Sequence, residues 1–487
     1  MIHADARASC AARLPAIRPM RPQTGCARTD TPESNARPAR RQDRPEQIAG
    51  RNAPVIRRKR CNLPHLTRLI LAFFLVLPAW ASAEARVFHV DPAGDDAHDG
   101  RHPARPWRTL ACAAAEPLHP GDQILLRRGA VWREAFILNH GGAPFRPITL
   151  SAYGDPNDPA PEIAAADTPG VPARKFCIEA NQSHIRIDGL RLTGAAGDGM
   201  AAVVVYAYRD LTDVRITRCE IAGNASRGIF VGGSPGAQLR GLVIAGNLIR
   251  DNDGSGILVT HAHAAIIADN QLLRNCRVAT EPWQAAVRLW SERVTDVRVE
   301  RNVIADQQWG HSNASAVGIH VDETGPGVSV SLNRIDRVDH AAVEVENTRG
   351  VLIADNTAHS AEVGLFVYRA GHDHRVLRNR FVDCRSQGIV LQGHRAGGVD
   401  AGPELEVGGR LFSGNLLTGN VARGSRWGSL KCVGGAEWGV RVTQNDFGPP
   451  RSGLIEWGEA VYNDYAAWEA AAGAAVTDRN APHADRR

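Results

Sequence analysis

The sequence predicts an all-β protein wound as a parallel β-helix, and three observations carry this prediction. From about residue 176 onward, short units in which Val and Ile alternate with other residues recur along the chain. One unit, V-x-I-x-x-N-x-I, returns every 23 to 32 residues, and a second strand opening with Gly or Ala lies between its copies. No helical pattern separates the strands. Short strands at a period of about 20–50 residues indicate a solenoid in which each period forms one coil.

The first 83 residues are predicted to precede the folded part. Residues 1–56 are rich in Arg and Pro without periodic apolar pattern, so we expect a disordered basic leader or a misplaced start. Residues 57–83 combine a basic run, an apolar stretch from Leu69 to Leu77 and an Ala-Ser-Ala ending at Ala83. This pattern is typical of a cleavable signal peptide whose apolar stretch is too short to span a membrane. We therefore expect a secreted or periplasmic protein with no membrane span in the mature chain.

Removing this leader reverses the sign of the net charge. The whole chain has 57 Lys and Arg against 52 Asp and Glu, a net charge of +5. Residues 1–83 hold 15 of the basic and 5 of the acidic residues, which leaves −5 for the mature chain. Without a basic surplus, nucleic-acid binding is not expected. We expect a monomer.

Residues 84–175 are predicted to form an N-terminal cap and the first coils. Within them, the segment Phe88–Glu134 contains an Asp-rich stretch and the sequence "PGD". The loop aspartates are expected to form turns in preference to a calcium site; they are Asp91, Asp95, Asp96 and Asp99. Residues 446–487 are predicted to form a C-terminal cap and tail.

The coils themselves are predicted over residues 176–445. Each coil carries an Asn at the same turn position, so we expect the amide side chains to stack from coil to coil as an internal ladder. These residues are Asn247, Asn270, Asn302, Asn333, Asn356 and Asn379.

Charged residues concentrate on one outward face. In the second strand of each coil, the first and third residues after the small one are apolar and should face the core, so the second and fourth face outward. The strand from Gly318 then presents His320 and Asp322, and the strand from Ala342 presents Glu344 and Glu346. The adjoining coils add Arg288, Trp290 and Tyr368. We call these seven residues the patch and expect them to line one open groove.

Two unusually long turns precede the strands of the patch. The segments from Asn270 to Ala286 and from Asn302 to Gly318 each use 16 positions, where other coils use 8 or 9. They carry Trp283 and Trp309, which we expect to wall the groove and stack on sugar rings.

These repeats resemble the right-handed parallel β-helix superfamily, the pectate-lyase-like proteins. The resemblance rests on units such as "VRVERNVI" and "VSVSLNRI" and on the "PGD-x-I-x-L" entry module. It implies a right-handed helix in which Phe88–Glu134 forms an opening strand, an Asp/Gly loop, an N-terminal capping helix around Trp107–Ala115 and a first coil after "PGD". The two strands of the patch also resemble β-helix glycosidases of the β-xylosidase type. In that group an Asp ends a "GI-x-x-D" strand, here Asp322, and a Glu lies ten residues before the Asn of a "DN" turn, here Glu346.

The function predicted for the patch is glycosidic bond cleavage. Two carboxylates one coil apart fit the ~5–5.5 Å separation of a retaining glycosidase pair. Asp322 would be the nucleophile, and Glu346, its pKa raised by neighbouring negative charge, the general acid and base. The predicted catalytic residues are Asp322, Glu346, His320, Glu344 and Arg288. The predicted substrate-binding residues are Trp290, Tyr368, Arg369, Trp283 and Trp309. The substrate would be a polysaccharide or oligosaccharide, with no metal or cofactor.

Two alternatives stay open. A polysaccharide lyase or uronate epimerase would neutralise a uronate carboxylate with Ca²⁺ or Arg. Asp322, Glu344 and Glu346 could then hold Ca²⁺, although the coils contain only Lys431 as a lysine base. His261 with His263, or the "GHDH" segment at 371–374, would be weaker metal sites. The second alternative is a non-catalytic carbohydrate-binding or adhesive solenoid.

The six cysteines of the mature chain are widely spaced and form no CxxC pair, which argues against zinc. Disulfides are compatible with an oxidising compartment, but single buried thiols are the favoured interpretation. They are Cys112, Cys177, Cys219, Cys276, Cys384 and Cys432.

Overall fold

The computed structural model describes residues 84–165, 176–196, 201–278, 283–307, 316–393 and 411–473. The predictions for residues 1–56, for the signal peptide at 57–83 and for Trp309 lie outside these residues. Within them the chain is all-β apart from two short α-helices and one 3₁₀ turn. Its strands stack coil upon coil in parallel sheets, which confirms the predicted β-helix.

The first long sheet holds the strands of the V-x-I-x-x-N unit. In each of them the apolar residues point inward, because successive side chains alternate between the two faces of a strand. Its strands are Val87–Val90, Gln123–Arg127, Ile148–Tyr153, Ile185–Asp188, Val214–Thr217, Val243–Ala245, Ile266–Ala268, Arg298–Glu300, Ser329–Ser331, Leu352–Ala354, Arg375–Leu377, Asn415–Thr418 and Val440–Thr443.

The second long sheet carries the patch, and we call it the site sheet. Its strands are Phe136–Leu138, Ile178–Ala180, Ala201–Ala207, Arg227–Gly233, Ile257–Val259, Ala285–Trp290, Val317–Asp322, Ala341–Arg349, Val363–His372, Gln387–Gly393, Gly428–Val433, Ile455–Trp457 and Ala460–Tyr462, with Phe412–Ser413 at its side. The last two strands in this order pair antiparallel, which ends the coil-by-coil progression.

Two further sheets complete the coils. One runs along most of the helix and consists of Val131–Trp132, Glu162–Ala164, Arg191–Thr193, Glu220–Ala222, Leu248–Arg250, Gln271–Leu273, Val303–Gln307, Arg334–Val338, Thr357–His359, Arg380–Val382 and Val421–Arg423. The other is short and consists of Leu211–Thr212, Leu239–Arg240, Ala262–His263 and Val294–Thr295. The side chains inside the coils form one hydrophobic core that extends from Phe88 to Trp468.

A short helix caps the N-terminal end of the core. It spans Leu110–Ala115, and the hydroxyl of its N-cap Thr109 accepts a hydrogen bond from the Cys112 amide. The helix begins later than predicted because Trp107 still pairs with the opening strand at Val90. The Asp-rich loop before it consists of turns, as expected, since Asp91, Asp95 and Asp99 each accept a hydrogen bond from the backbone amide two residues later. Asp96 instead accepts from the amides of Arg108 and Thr109 at the start of the helix.

The C-terminal end of the core is covered by a second helix, Tyr465–Ala472. Asp464 caps its first turn by accepting from the Ala467 amide, and Trp468 is fully buried against Phe447 and Trp457. A 3₁₀ turn at Ala436–Trp438 lies nearby. Among the described residues, no helix is both long and apolar enough to cross a lipid bilayer.

The predicted asparagine ladder is present and fully buried. The Nδ2 of Asn302 donates to Oδ1 of Asn333 at 3.0 Å, and Asn333 donates in turn to Asn356 at 3.0 Å. The same bond joins the predicted residues from Asn247 to Asn379 and continues beyond them to Asn420 and Asn445. The side-chain amide of each of these asparagines also donates to the backbone carbonyl of a core-facing residue. The ladder therefore provides partners for backbone groups that the turns leave free.

A second amide ladder was not predicted from the sequence. Asn224 donates to Asn252, and Asn252 donates to Asn275 at 2.8 Å. The backbone N–H of Asn275 then donates to Oε1 of Gln307. The six cysteines carry free thiols, all buried except the half-buried Cys112, which confirms the favoured interpretation.

Candidate functional site

The predicted register of the patch is confirmed residue by residue. Across the site sheet, Asp322 pairs with Trp290 on one side and with Glu346 on the other. His320 pairs with Arg288 and Glu344 in the same way. Tyr368 follows Glu346 in the next coil. The period-two alternation of each strand therefore places three carboxyls, an imidazole and a guanidinium on one outward face.

The five charged residues of the patch are buried, so the prediction of an open groove at these residues is wrong. His320 and Glu344 are 0% exposed, and Asp322 is the most accessible of the carboxyls at only 8%. Side chains from the turns before two strands lie over this face. The Trp283 ring is 6.5 Å from the His320 ring, and His340 Nε2 is 3.7 Å from Oε2 of Glu344. The strand register read from the sequence predicts which face of the sheet these residues occupy. It does not predict which side chains cover them.

Each end of the patch contains an ion pair. Arg288 Nη2 lies 3.7 Å from Asp322 Oδ2, and the Arg288 guanidinium lies over the Trp290 ring at 5.2 Å. Arg369 Nε lies 2.9 Å from Glu346 Oε1, and His320 Nε2 lies 3.5 Å from Oε2 of the same carboxylate. Glu346 therefore has two cation-forming partners within 3.5 Å.

Local backbone irregularity brings Arg369 to Glu346. The ladder register shifts between Glu346 and Thr348, which marks a β-bulge. Asn347 and Arg369 both adopt left-handed conformations there, with φ of 50° and 61°. A bulge re-aims side chains, and here it directs a residue outside the regular outward positions toward the patch.

Burial perturbs two carboxyls of the patch. It raises the pKa of Asp322 to about 6, where the nearby charge of His320 acts in the opposite direction. Burial, followed by the charge of Glu346, raises the pKa of Glu344 to about 8. The raised pKa values of Asp322 and Glu344 were not predicted from the sequence. Burial also lowers the pKa of His340 to about 4, so that imidazole is neutral at neutral pH.

A cavity of about 1130 Å³ opens beside the patch, and we call it the edge cavity. It follows the C-terminal ends of the site strands, because the residues directly after Asp322 and Glu346 line it. Trp290, 43% exposed, forms part of its wall and donates from Nε1 to Glu323 Oε2 at 3.2 Å. Of the patch carboxyls, Asp322 and Glu346 thus lie nearest to the cavity, and His320 and Glu344 lie two residues further away along their strands.

Several residues of the edge cavity were missed from the sequence. Tyr206 and Phe230 come from earlier coils, where Val204 pairs with Phe230 and Phe230 pairs with Leu258. Extending the aligned outward positions two coils toward the N-terminus would have found them. Arg349 and His372 also line the cavity but pair with each other beyond the bulge, where the regular register no longer holds.

The predicted substrate-binding residues separate into two groups. Trp290 lines the edge cavity, as expected for a binding residue. Tyr368 instead packs against Phe366 with ring centroids 5.0 Å apart, while Trp283 covers His320 and Arg369 binds Glu346. These three residues surround the buried carboxyls of the patch and do not line the edge cavity.

The weaker metal sites considered from the sequence do not assemble. His374 Nδ1 accepts from the Val351 amide, His372 contacts Ser413, and His263 contacts Thr295. Within the part of the chain that the structure describes, three potential metal ligands converge only at His320, Glu344 and Glu346.

Comparison with known families agrees with this architecture. The family model for a right handed beta helix region matches residues 176–325 and 274–401. The chain is a right-handed parallel β-helix protein. The resemblance seen in the repeats is thereby confirmed at the level of the superfamily.

The relatives of this β-helix protein are distant. Lacto-N-biosidase of Bifidobacterium longum subsp. longum is 23% identical over 258 residues, or 48% of this chain, and the match spans only 16% of that enzyme's length. Among solved structures, a GH136 lacto-N-biosidase from Eubacterium ramulus is 17% identical, with a TM-score of 0.46, and the match covers 63% of this chain and 64% of that one.

Two other solved structures were matched by this chain. XylC in complex with xylose is 13% identical with a TM-score of 0.47, covering 77% of this chain and 76% of that one. An alginate lyase from a Paenibacillus species is 18% identical with a TM-score of 0.45, covering 58% of this chain and 96% of that one. At these identities the likeness is one of fold.

Proposed function

We propose that this β-helix protein is a carbohydrate-active enzyme, and specifically a retaining glycoside hydrolase with Asp322 and Glu346 as its carboxyl pair. The observation that carries the proposal is the direct pairing of these two residues on adjacent coils. Neighbouring strands lie about 4.8 Å apart, and both side chains point to the same face. This strand spacing favours the ~5–5.5 Å carboxyl separation of retaining pairs over the ~6.5–9.5 Å of inverting pairs.

The ion pairs around the two carboxyls suggest their roles. Glu346 lies 2.9 Å from Arg369 and 3.5 Å from His320, and the Arg369 guanidinium can pair with the carboxylate that a nucleophile requires. Among the described residues, Asp322 forms an ion pair with Arg288, and the distance is longer, at 3.7 Å. Asp322 is therefore better suited to carry a proton. The proposed roles are the reverse of those predicted from the sequence.

The reaction would follow the double displacement of retaining enzymes. Asp322 donates its proton to the glycosidic oxygen while a carboxylate oxygen of Glu346 attacks the anomeric carbon, and the alcohol departs. The product of this step is a glycosyl ester on Glu346. The Asp322 carboxylate then removes a proton from water, which attacks the same carbon and releases Glu346. Both carboxyls return to their starting states.

The edge cavity supports a sugar as the substrate. Its wall combines aromatic rings, Trp290, Phe230 and Tyr206, with the polar groups of His261 and Arg349. Aromatic faces offer the apolar surface on which sugar rings stack, and a few polar groups fix orientation. At about 1130 Å³ the cavity is large enough for an oligosaccharide.

One experiment separates the enzyme classes. The protein is incubated with a panel of neutral and uronate-containing glycans while reducing ends and absorbance near ~235 nm are recorded together, because β-elimination leaves an unsaturated product. A hydrolase releases reducing ends without absorbance, and this is the expected result. Release with absorbance would assign the site to a lyase, and binding without either signal would assign it to a carbohydrate-binding solenoid.

A further inference from the structure

The innermost part of the patch has the composition of a metal site. His320, Glu344 and Glu346 each present a ligand atom, and these atoms all lie within 4.8 Å of one another. All three residues are buried, at 0%, 0% and 3% exposure. They come from two adjacent strands of the site sheet, with His320 and Glu344 directly paired.

Polar atoms in this cluster lack hydrogen-bond partners. Within the described part of the chain, neither ring nitrogen of His320 and neither carboxyl oxygen of Glu344 makes a hydrogen bond. The ion-pair contacts of these two residues are longer than hydrogen bonds, with His320 Nε2 3.5 Å from Glu346 and Glu344 Oε2 3.7 Å from His340. Buried polar atoms are almost always satisfied, because burial without a partner forfeits their hydration. Four such atoms on two adjoining residues therefore point to a ligand between them.

The chemistry of the donors selects the class of ligand. Ca²⁺ and Mg²⁺ are bound through oxygen atoms, so an imidazole nitrogen disfavours both. One imidazole with two carboxylates suits zinc and related divalent transition metals. The surroundings supply the outer contacts that such sites use, since Arg369 holds Glu346 at 2.9 Å and His340 lies beside Glu344.

We propose that His320, Glu344 and Glu346 bind one divalent transition-metal ion of the zinc class. Bound metal would occupy the carboxylate of Glu346, which is also the proposed nucleophile. The ion therefore inhibits turnover and does not assist it. This consequence rests on the proposed function, whereas the metal site itself does not.

The first test is metal binding by the wild-type chain. The protein is treated with chelator, desalted and titrated with ZnCl₂ by calorimetry, with the thermal midpoint recorded in parallel. One Zn²⁺ per chain and a raised thermal midpoint are expected, because the ion binds only the folded state. Cobalt gives a readout that needs no variant, since Co²⁺ bound by the cluster should show visible absorption that Zn²⁺ abolishes. Failure of the wild-type protein to bind either metal overturns the proposal.

Variants locate the site. His320→Ala and Glu344→Gln should each weaken Zn²⁺ binding at least tenfold. The matched controls His359→Ala and Glu362→Gln change a His and a Glu elsewhere on the coils and should bind as the wild type does. Circular dichroism of the metal-free variants verifies folding. Unchanged affinity in both folded cluster variants would place the metal elsewhere and overturn the assignment.

Turnover separates this proposal from the proposed function. If the metal-free protein is active and loses activity in proportion to Zn²⁺ occupancy, both the metal site and the proposed function are supported. Activity without any Zn²⁺ binding overturns the metal site alone. If activity disappears when the metal is removed and returns with Zn²⁺, the metal site stands. The proposed inhibition and the role of Glu346 as nucleophile are then both overturned.

Discussion

Arg369 Nε lies 2.9 Å from Glu346 Oε1, although the two residues are not partners in the strand ladder. The partner of Glu346 is Tyr368, and Arg369 reaches the carboxylate through a left-handed backbone turn beside a β-bulge. Glu346 is 3% exposed, so this guanidinium replaces much of the hydration that burial removes. The ion pair between Arg369 and Glu346 therefore contributes both to the stability of the coil and to the electrostatics of the site.

Removing this guanidinium should destabilise the protein. Breaking a fully buried ion pair costs roughly 3–5 kcal/mol. Arg369→Met should cost less, about 2–3 kcal/mol, because the Arg369 side chain is 24% exposed and partly screened by solvent. Urea unfolding measures the change. The control Arg378→Met removes a surface pair with Asp355 at 2.7 Å and should cost about 0–1 kcal/mol; equal losses in both variants would contradict the argument.

The two catalytic roles can be distinguished by leaving-group chemistry. Asp322→Asn should lower turnover of ordinary glycosides by about 10²–10⁴-fold, the usual contribution of a general acid. Aryl glycosides with good leaving groups need no protonation, so they should restore much of the glycosylation rate. Glu346→Ala should remain inactive on them unless azide is added to replace the nucleophile. Rescue of Glu346→Gln by good leaving groups, with Asp322→Asn inactive, would restore the roles implied by the sequence.

Trp290 should contribute to substrate binding more than to chemistry. Trp290→Ala removes an exposed ring from the wall of the edge cavity, and stacking contacts of about 0.5–1.5 kcal/mol correspond to a roughly two- to tenfold rise in KM. Steady-state kinetics on the best glycan of the panel measures this change. Trp427, 62% exposed and outside the cavity, provides the control. A similar rise in Trp427→Ala would remove the cavity from the binding argument.

The asparagine ladder should be essential for stability. Asn333 accepts from the Asn302 amide and side chain and donates to the Val299 carbonyl and to Asn356. Asn333→Ala leaves several of these buried groups unpaired, at about 1–3 kcal/mol for each. We expect a loss of at least about 2 kcal/mol by urea unfolding.

The exposed Asn157 serves as the matched control for the ladder. Its amide bonds only to Asp155, so Asn157→Ala should change stability by no more than about 0.5 kcal/mol. A loss in Asn333→Ala as small as in the control would show that the ladder is dispensable.

A buried histidine should make the protein sensitive to acid. Burial lowers the pKa of His374 to about 3 from the 6.5 of an ordinary histidine, and its Nδ1 accepts a hydrogen bond from the Val351 amide. Because the folded-state pKa lies below the unfolded one, its stabilising contribution is fully present above pH 6.5 and decreases as pH falls toward 3. The decrease approaches about 1.4 kcal/mol per pH unit for one proton.

His374→Asn tests this dependence, because the amide keeps an acceptor and takes up no proton. Urea unfolding between pH 7 and about pH 4 should show a shallower decline in this variant than in the wild type. His359 is 53% exposed, so His359→Asn should leave the wild-type slope unchanged. Parallel slopes in the wild type and His374→Asn would exclude His374 as the acid-sensitive group.

The sequence by itself determined the architecture and the facing of every residue in the patch. Alternation at period two allows a strand only one register with its apolar residues inward, and equivalent coils repeat that register. His320, Asp322, Glu344 and Glu346 could therefore be assigned to one outward face, and Asn333 to an internal ladder. The same reasoning would have found Phe230 and Tyr206 if the alignment had been extended to earlier coils.

Only the tertiary structure decided how that face is enclosed. The burial of His320 depends on Trp283, and the counter-charge of Glu346 depends on Arg369. Both contacts come from turns and a bulge, where neither helical nor strand periodicity constrains the direction of a side chain. The electrostatics of the carboxyls follow from burial, and burial is a property of all the coils packed together. A repeating pattern in one strand specifies which face a side chain occupies, but the depth of that side chain is set by non-repeating segments from other coils.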